Sequence, residues 1–385
     1  MTKLQHIRTA FPMLQQDLVY LDSAALVQKP QVVIDAINDF YTKYAVSNRT
    51  SDSILGIKTD QVIMAARLKV AQLLGVNWTE VFFNSGATEG LNYSAQLLGP
   101  LLQPGDQILI SVYNHSSHII PWVEMAAAQQ AIVVFSQDLL RDLTPQTKIV
   151  CYTQANNTFA NNVDPAALRA AAPQAWIVND AAQAISHEVV CGATADIIAF
   201  SANKFFGPTG LGVLYIATSL LRQVRPKKYG GGAVATIGPT GQWTPNTNYF
   251  QQHEPGTLNL AALYGFNQAL DFFNQFKIDQ IQSHLTKLAH YAYDKLARLP
   301  NVTIESHRGD PIILFDVSNS SAQEVSSYLG HHNIYVRSGW FCAKYLENLR
   351  ARPLIRVSLH IYNTRDDIDK LCHAIKNGGD FLGFI

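Results

Sequence analysis

Between Thr59 and Ile216 the chain repeatedly follows a short apolar run with a helical pattern, and this alternation restricts the fold more than any other feature. The extended runs are Glu80 to Phe83, Gln107 to Ser111, Ala131 to Phe135, Lys148 to Tyr152, Ala175 to Val178, Asp196 to Phe200 and Gly212 to Tyr215. They are short, β-rich runs. Between them, Thr59 to Leu74 and Ala87 to Leu98 carry apolar residues at spacings of three and four. The pattern predicts a mainly parallel sheet with helices on its faces, where ligands bind at the carboxyl ends of the strands.

Past the Gly- and Pro-containing stretch Tyr229 to Thr257 the rhythm changes. A long helical region, Leu258 to Leu299, precedes two extended segments, Pro311 to Val317 and Ile334 to Ser338, that flank a helical Ala322 to Tyr328. A strand at Leu354 to Leu359 and a helix from Thr364 complete what reads as a smaller α+β domain. The expected division is an N-terminal segment 1–20 packing on the small domain, a large domain 21–265 and a small domain 266–385.

At 385 residues and 48% hydrophobic, the chain has the core of a globular enzyme. Its 29 basic residues balance its 29 acidic ones, so net charge does not draw it to nucleic acid or an anionic membrane. No run approaches the ~18 apolar residues that span a bilayer, and Met1 to Phe11 carries no apolar stretch behind Lys3 and Arg8. The expected location is the cytoplasm. The four cysteines lack paired spacing, which argues against a disulfide framework or a zinc site and leaves a lone nucleophile as the chemical use of one of them.

The densest chemical segment is Ala195 to Tyr215, ADIIAFSANKFFGPTGLGVLY. It sets Lys204 in a loop between two apolar strands, before a glycine-rich turn. Partial desolvation favours a neutral amine, the form that attacks an aldehyde, so the position suits Schiff-base chemistry; an exposed loop lysine is the alternative. Gly86-Ala87-Thr88-Glu89 opens a helix with free N–H groups suited to a phosphate. Arg356 follows Leu354-Ile355 in an apolar strand, where a guanidinium needs an anion: a substrate carboxylate or a structural ion pair. His115 and His118 read either as an aromatic plate with a neighbour or as a metal pair, and no further ligands of matching spacing lie nearby.

Taken in order, these segments resemble the class V aminotransferase-like enzymes, especially the cysteine desulfurase and selenocysteine lyase group. YLDSAALVQKP (Tyr20 to Pro30) is similar to the family's N-terminal motif, FNSGATEGLN (Phe83 to Asn92) to its phosphate loop and HSSHIIPW (His115 to Trp122) to its ring-stacking segment. Asp180 to Gln183, Glu254 to Thr257, Arg337 to Ala343 and Arg356 to Asn363 match its remaining elements. The resemblance implies a fold-type-I transferase that binds pyridoxal 5′-phosphate (PLP), no metal, and a homodimer.

It also implies roles. Lys204 would hold the cofactor, with Ala87, Thr88 and Ser201 at its phosphate and Thr257 reaching that phosphate from a second copy. Asp180 would keep the pyridine nitrogen protonated, Gln183 and Asn157 would hold the phenolic edge, and His115 would lie on the ring and shuttle protons. Arg356, with Asn157, would bind the substrate carboxylate. Cys342 would take sulfur from L-cysteine as a persulfide and release L-alanine, and the short gap to Arg356 resembles the subgroup that passes sulfur to a separate acceptor protein. The rival readings are a class V aminotransferase, epimerase or lyase in which Cys342 is incidental, and a homologue without catalysis.

The sequence departs from the family pattern at several points. Trp340 and Phe341 stand where histidines usually precede the cysteine, Asn203 replaces the histidine before the lysine, and Ser23-Ala24-Ala25-Leu26 replaces Asn-Ala-Ala-Thr. The His-Arg-Gly-x-His stretch survives as Asn48-Arg49 followed by Asp52.

Overall fold

A computed structural model describes residues 3–47, 52–160, 163–350 and 352–378. Contacts divide the chain into two compact units, one of Val32–Gln154 with Val163–Asn274, the other of Met1–Gln31 with Ala155–Asn162 and Gln275–Ile385.

The first unit is built on seven strands: β1 (Val81–Asn84), β2 (Gln107–Ser111), β3 (Ile132–Ser136), β4 (Thr147–Thr153), β5 (Trp176–Asp180), β6 (Ile197–Ser201) and β7 (Gly212–Ile216). They lie in the order β1-β7-β6-β5-β4-β2-β3. All neighbours are parallel except β7, which runs antiparallel to both β1 and β6. Every residue of β2 and β7 is buried, whereas β3 on the rim is mostly not. Helices covering both faces of the central strands explain the short apolar runs.

Because β7 is the reversed strand, β1 runs the same way as the other five. The carboxyl ends of β1, β2, β5 and β6 therefore share one edge. That edge carries Asp180 at the end of β5 and the loops leading to Gly86, His115 and Lys204, as expected for a ligand site in an open α/β sheet.

Helix Ile54–Leu74 starts earlier than its periodicity suggests, because the Ser53 side chain caps it by accepting from the Gly56 amide at 3.1 Å. It packs on helix Leu260–Phe273. Its Arg67, 2% exposed, donates to both carboxylate oxygens of Glu254 at 2.9 and 2.8 Å and also to the Val81 carbonyl. Glu254 Oε1 in turn accepts from the Phe83 amide at 2.6 Å, tying the segment before Thr257 to β1.

The second unit has a four-stranded antiparallel sheet, in order β8 (Val302–Ile304), β9 (Ile312–Val317), β11 (Leu354–Ser358) and β10 (Arg337–Gly339). Helices Ile278–Leu296, Ala322–His331 and Arg365–Asn377 belong to the same unit. Val19–Tyr20 pairs in parallel with Ile334–Tyr335, and Asp22 bridges to Ser358 at the end of β11. The N-terminal segment is thereby threaded beside the strand that carries Arg356.

Candidate functional site

In the first unit, the lysine loop follows β6. Ser201 ends that strand, and Ala202–Lys204 form a single 3₁₀ turn in which Lys204 is half-buried. The next two residues anchor it. Phe205 and Phe206 are fully buried, Phe205 packing on Phe273 at 4.5 Å and Phe206 on Phe272 at 5.4 Å between centroids. Two buried rings directly after the lysine fix where its side chain starts.

Ser201 joins the helix start predicted at residues 86–88. Its Oγ accepts from the Ala87 amide at 2.7 Å, at the N-terminus of helix Ala87–Leu98, whose N-cap residue Gly86 has no side chain to cap it. Backbone approach is close here. A Cβ on Gly212 would stand 2.5 Å from Gly86 Cα, so only glycine lets β7 pass under the turn. Thr88 is exposed, and Glu89 accepts from the Ser85 amide at 2.6 Å and pairs with Lys228. Backbone amides at a helix N-terminus beside a serine hydroxyl make a donor set that fits a phosphate dianion.

Asp180 is the last residue of β5 and 3% exposed; its Oδ1 accepts from the Ala182 amide at 3.0 Å. Such a buried carboxylate is costly without a cationic donor, and a protonated pyridine nitrogen is one. Gln183 is buried three residues on. His115 is half-buried, with Nδ1 accepting from the Ser117 amide at 3.2 Å and 2.7 Å from Ser117 Oγ. His118 is fully buried, its Nδ1 accepting from Trp122 at 3.3 Å and its Nε2 3.2 Å from the Val178 carbonyl oxygen. Burial holds its pKa down, against the pull of the Asp180 charge, so it is a neutral core histidine. The phosphate cradle and the acid at a strand end together fit PLP. Thr257 is exposed after Glu254, in this same unit.

The second unit gathers Arg356, Asn157 and Cys342. Arg356 is 2% exposed; its Nη2 donates to Asp22 Oδ1 at 2.8 Å and its Nη1 to the Asn157 carbonyl at 3.0 Å. Asp22 also takes Arg337 on its other oxygen, Nε at 3.0 Å and Nη2 at 2.9 Å. One carboxylate thus serves two guanidiniums, which leaves the cluster with a surplus positive charge. Burial lowers the pKa of Arg356, opposed by Asp22. Its Nε is buried with no hydrogen-bond partner.

Cys342 is exposed, in a turn whose backbone is unusual: φ is +53° at Phe341 and +58° at Cys342. Left-handed geometry at two successive residues with side chains is costly and persists only where the surroundings impose it. Ala343, fully buried, pins the turn from below, its amide donating to the Trp340 carbonyl at 2.9 Å. The other cysteines differ. Cys151 and Cys372 are buried and burial pushes both thiols up, Cys372 to about 11.

Sequence reasoning missed Asp22. The signal lay inside YLDSAALVQKP, an acid just after a strand residue, but its partner is 334 positions away. Of the two roles expected of Asn157, at the cofactor edge and beside Arg356, the contact on view is the second: its carbonyl accepts from Arg356 Nη1 at 3.0 Å. Asn48 and Arg49 lie outside the described residues.

The class-V aminotransferase family model matches residues 19–371. The chain belongs to that family. Within it, the chain is a PLP-dependent enzyme of the cysteine desulfurase group. It is 36% identical to a probable cysteine desulfurase of Ureaplasma parvum, with 94% of each chain covered, and 32% identical to a cysteine desulfurase of Serratia proteamaculans, with 99% of each covered. The fold matches the solved cysteine desulfurase CsdA of Escherichia coli with a TM-score of 0.90 and 31% identity, covering 97% of this chain and 98% of that one. Fold type I follows from the same matches and from the mainly parallel seven-stranded sheet. No helix among the described residues is long and apolar enough to cross a membrane.

Proposed function

We propose that this class-V enzyme removes sulfur from L-cysteine, leaving it as a persulfide on Cys342 and releasing L-alanine. The unit carrying Lys204, Asp180, Gln183, His115, Ser201, Ala87 and Thr88 holds the cofactor. The unit carrying Arg356, Asn157 and Cys342 holds the substrate carboxylate and receives the sulfur. When bound, PLP draws electrons away from the substrate's α-carbon. Lys204 would tether it through its side-chain amine, and that amine would also be the base that takes the substrate's α-proton. Asp180 would keep the ring nitrogen protonated, and His115 would hold the ring and pass protons. Arg356 offers its unpartnered Nε–H to the carboxylate.

The Cys342 thiolate then attacks the substrate sulfur. A sulfur–sulfur bond forms, the carbon–sulfur bond breaks, and the thiol proton is matched by one delivered to the released alanine. The products, alanine and an enzyme persulfide, contain all the atoms of cysteine and the thiol, so no external oxidant or reductant enters this step.

The carrying observation is the exposed Cys342 thiol in a left-handed turn of a chain from the cysteine desulfurase group. The active form is a cytoplasmic homodimer in which Thr257 serves the other copy's phosphate, and the persulfide passes to a separate acceptor protein. Changing Cys342 to Ser tests the reading. Sulfide and alanine formation from L-cysteine should vanish while the visible absorbance of the bound cofactor stays. Undiminished turnover of the substrate would instead favour a lyase or aminotransferase in which the thiol is incidental.

A further inference from the structure

The residue before the nucleophile, Phe341, closes a three-membered circuit of contacts. Arg356 Nη1 donates to the Asn157 carbonyl at 3.0 Å; Asn157 Nδ2 donates to the Phe341 carbonyl at 2.7 Å; and the Arg356 guanidinium lies over the Phe341 ring, 4.8 Å from its centroid. Arg356 and Asn157 are both buried, at 2% and 8% exposure. The circuit ends one peptide bond from the thiol, in the stretch where φ turns positive. Strained backbone of this kind needs its neighbours to hold it, and here the Asn157 amide and the Arg356 cation grip the carbonyl and the ring of one residue.

We infer that Phe341 is a positioning residue that couples occupancy of Arg356 to the presentation of Cys342. Arg356 has one polar atom without a partner, the buried Nε–H. A carboxylate bound there orders the guanidinium, the ordered guanidinium fixes the ring stacked on it, and the ring fixes the left-handed turn. The thiol is thereby set when an α-carboxylate is present. A histidine at position 341, neutral or charged, would be a weaker partner for a cation than the benzyl ring, so the aromatic residue suits this role.

The inference rests on the reading of Arg356 as the carboxylate site, and the experiment separates the two. The holoenzyme is mixed with L-alanine, which carries the amine and carboxylate but no sulfur. Binding is followed by the cofactor's visible absorbance, and amide hydrogen exchange is measured over residues 339–346. In the wild type, L-alanine should slow exchange in that segment about fivefold or more, the lower range of a typical coupling between sites. In Phe341→Ala the absorbance change should persist and the slowing should vanish; Phe341→Tyr, which keeps the π face, should restore it.

Slowing in Phe341→Ala equal to wild type overturns the coupling, as does an absorbance change in wild type with no slowing. If Phe341→Ala does not fold, failure of Phe341→Tyr to keep the slowing overturns it equally. Absence of any absorbance change in wild type overturns the carboxylate reading and the coupling with it.

Discussion

Asp22 holds Arg356 through a 2.8 Å charged hydrogen bond, with the guanidinium side chain 2% exposed and the carboxylate 11%. The acid comes from the N-terminal segment and the base from β11, so the pair joins the two ends of one compact unit. Removing one partner of a buried pair leaves the other as an uncompensated charge, at a typical cost of about 3–5 kcal/mol. Asp22→Asn should therefore destabilise the protein by roughly 3 kcal/mol: the asparagine amide oxygen can still accept from a guanidinium, while the repulsion between Arg356 and Arg337 is left unneutralised. Chemical denaturation reads this as a lower midpoint at unchanged slope. A midpoint equal to wild type would mean that the pair contributes little.

The same pair marks the limit of what the sequence discloses. The apolar strands and helix Ala87–Leu98 were legible because burial on two faces, or on one stripe, imposes a local period. Residues distant in sequence had no such period. Nothing local in Asp22 announces Arg356, and nothing in the segment 155–162 announces that it leaves the unit on either side of it. Strand Val302–Ile304 has three residues, too few to alternate, and the hairpin Val234–Ile237 with Trp243–Pro245 is largely exposed, so neither wrote an apolar pattern. The expected long helix Leu258 to Leu299 is two, Leu260–Phe273 and Ile278–Leu296, split where Asn274 ends one and Lys277 caps the next. The candidate site was legible only as an ordered set of short motifs, while its electrostatic pairing was not.

Lys204 sits on a turn anchored by the buried rings of Phe205 and Phe206. Lys204→Ala should leave the fold intact and abolish the visible absorbance of enzyme-bound cofactor together with turnover. Far-ultraviolet circular dichroism and the absorbance spectrum of the purified variant separate the two effects. A wild-type spectrum in Lys204→Ala would remove this lysine from the chemistry.

Gly212 lies under the Gly86 turn with no room for a methyl group, 2.5 Å from Cα and 2.7 Å from the carbonyl carbon of Gly86. Backbone cannot yield as a flexible side chain would. Gly212→Ala should push the N-terminus of helix Ala87–Leu98 away from Ser201 and open the 2.7 Å contact between the Ala87 amide and Ser201 Oγ. Loss of one such charge-assisted donor set is worth about 1.4–3 kcal/mol, so cofactor affinity should fall at least roughly tenfold. Titration of the apoenzyme with PLP checks this, and unchanged affinity would take the phosphate away from this helix.

His253 contributes to the pH dependence of stability, as does His187, which burial likewise holds down to about 4. His253 is 5% exposed, its Nδ1 lies 2.7 Å from the Tyr93 hydroxyl, and burial, helped by the nearby Lys228 charge, lowers its pKa to about 4. An unfolded histidine titrates near 6.5. Between these values the unfolded chain binds the proton and the folded one does not, so stability falls as the pH drops from about 6.5 towards 4. Each pH unit in that window costs up to about 1.4 kcal/mol, for a total of roughly 3 kcal/mol. Above 6.5 the residue contributes no slope. His253→Asn, which has no proton to bind, should flatten the curve of urea midpoint against pH by one proton's worth across that window, while lowering stability at neutral pH through the altered contact with Tyr93. A curve parallel to wild type between pH 4 and 6.5 would show that His253 is protonated in the folded protein and that its burial against Phe82 and Tyr93 does not exclude the charge.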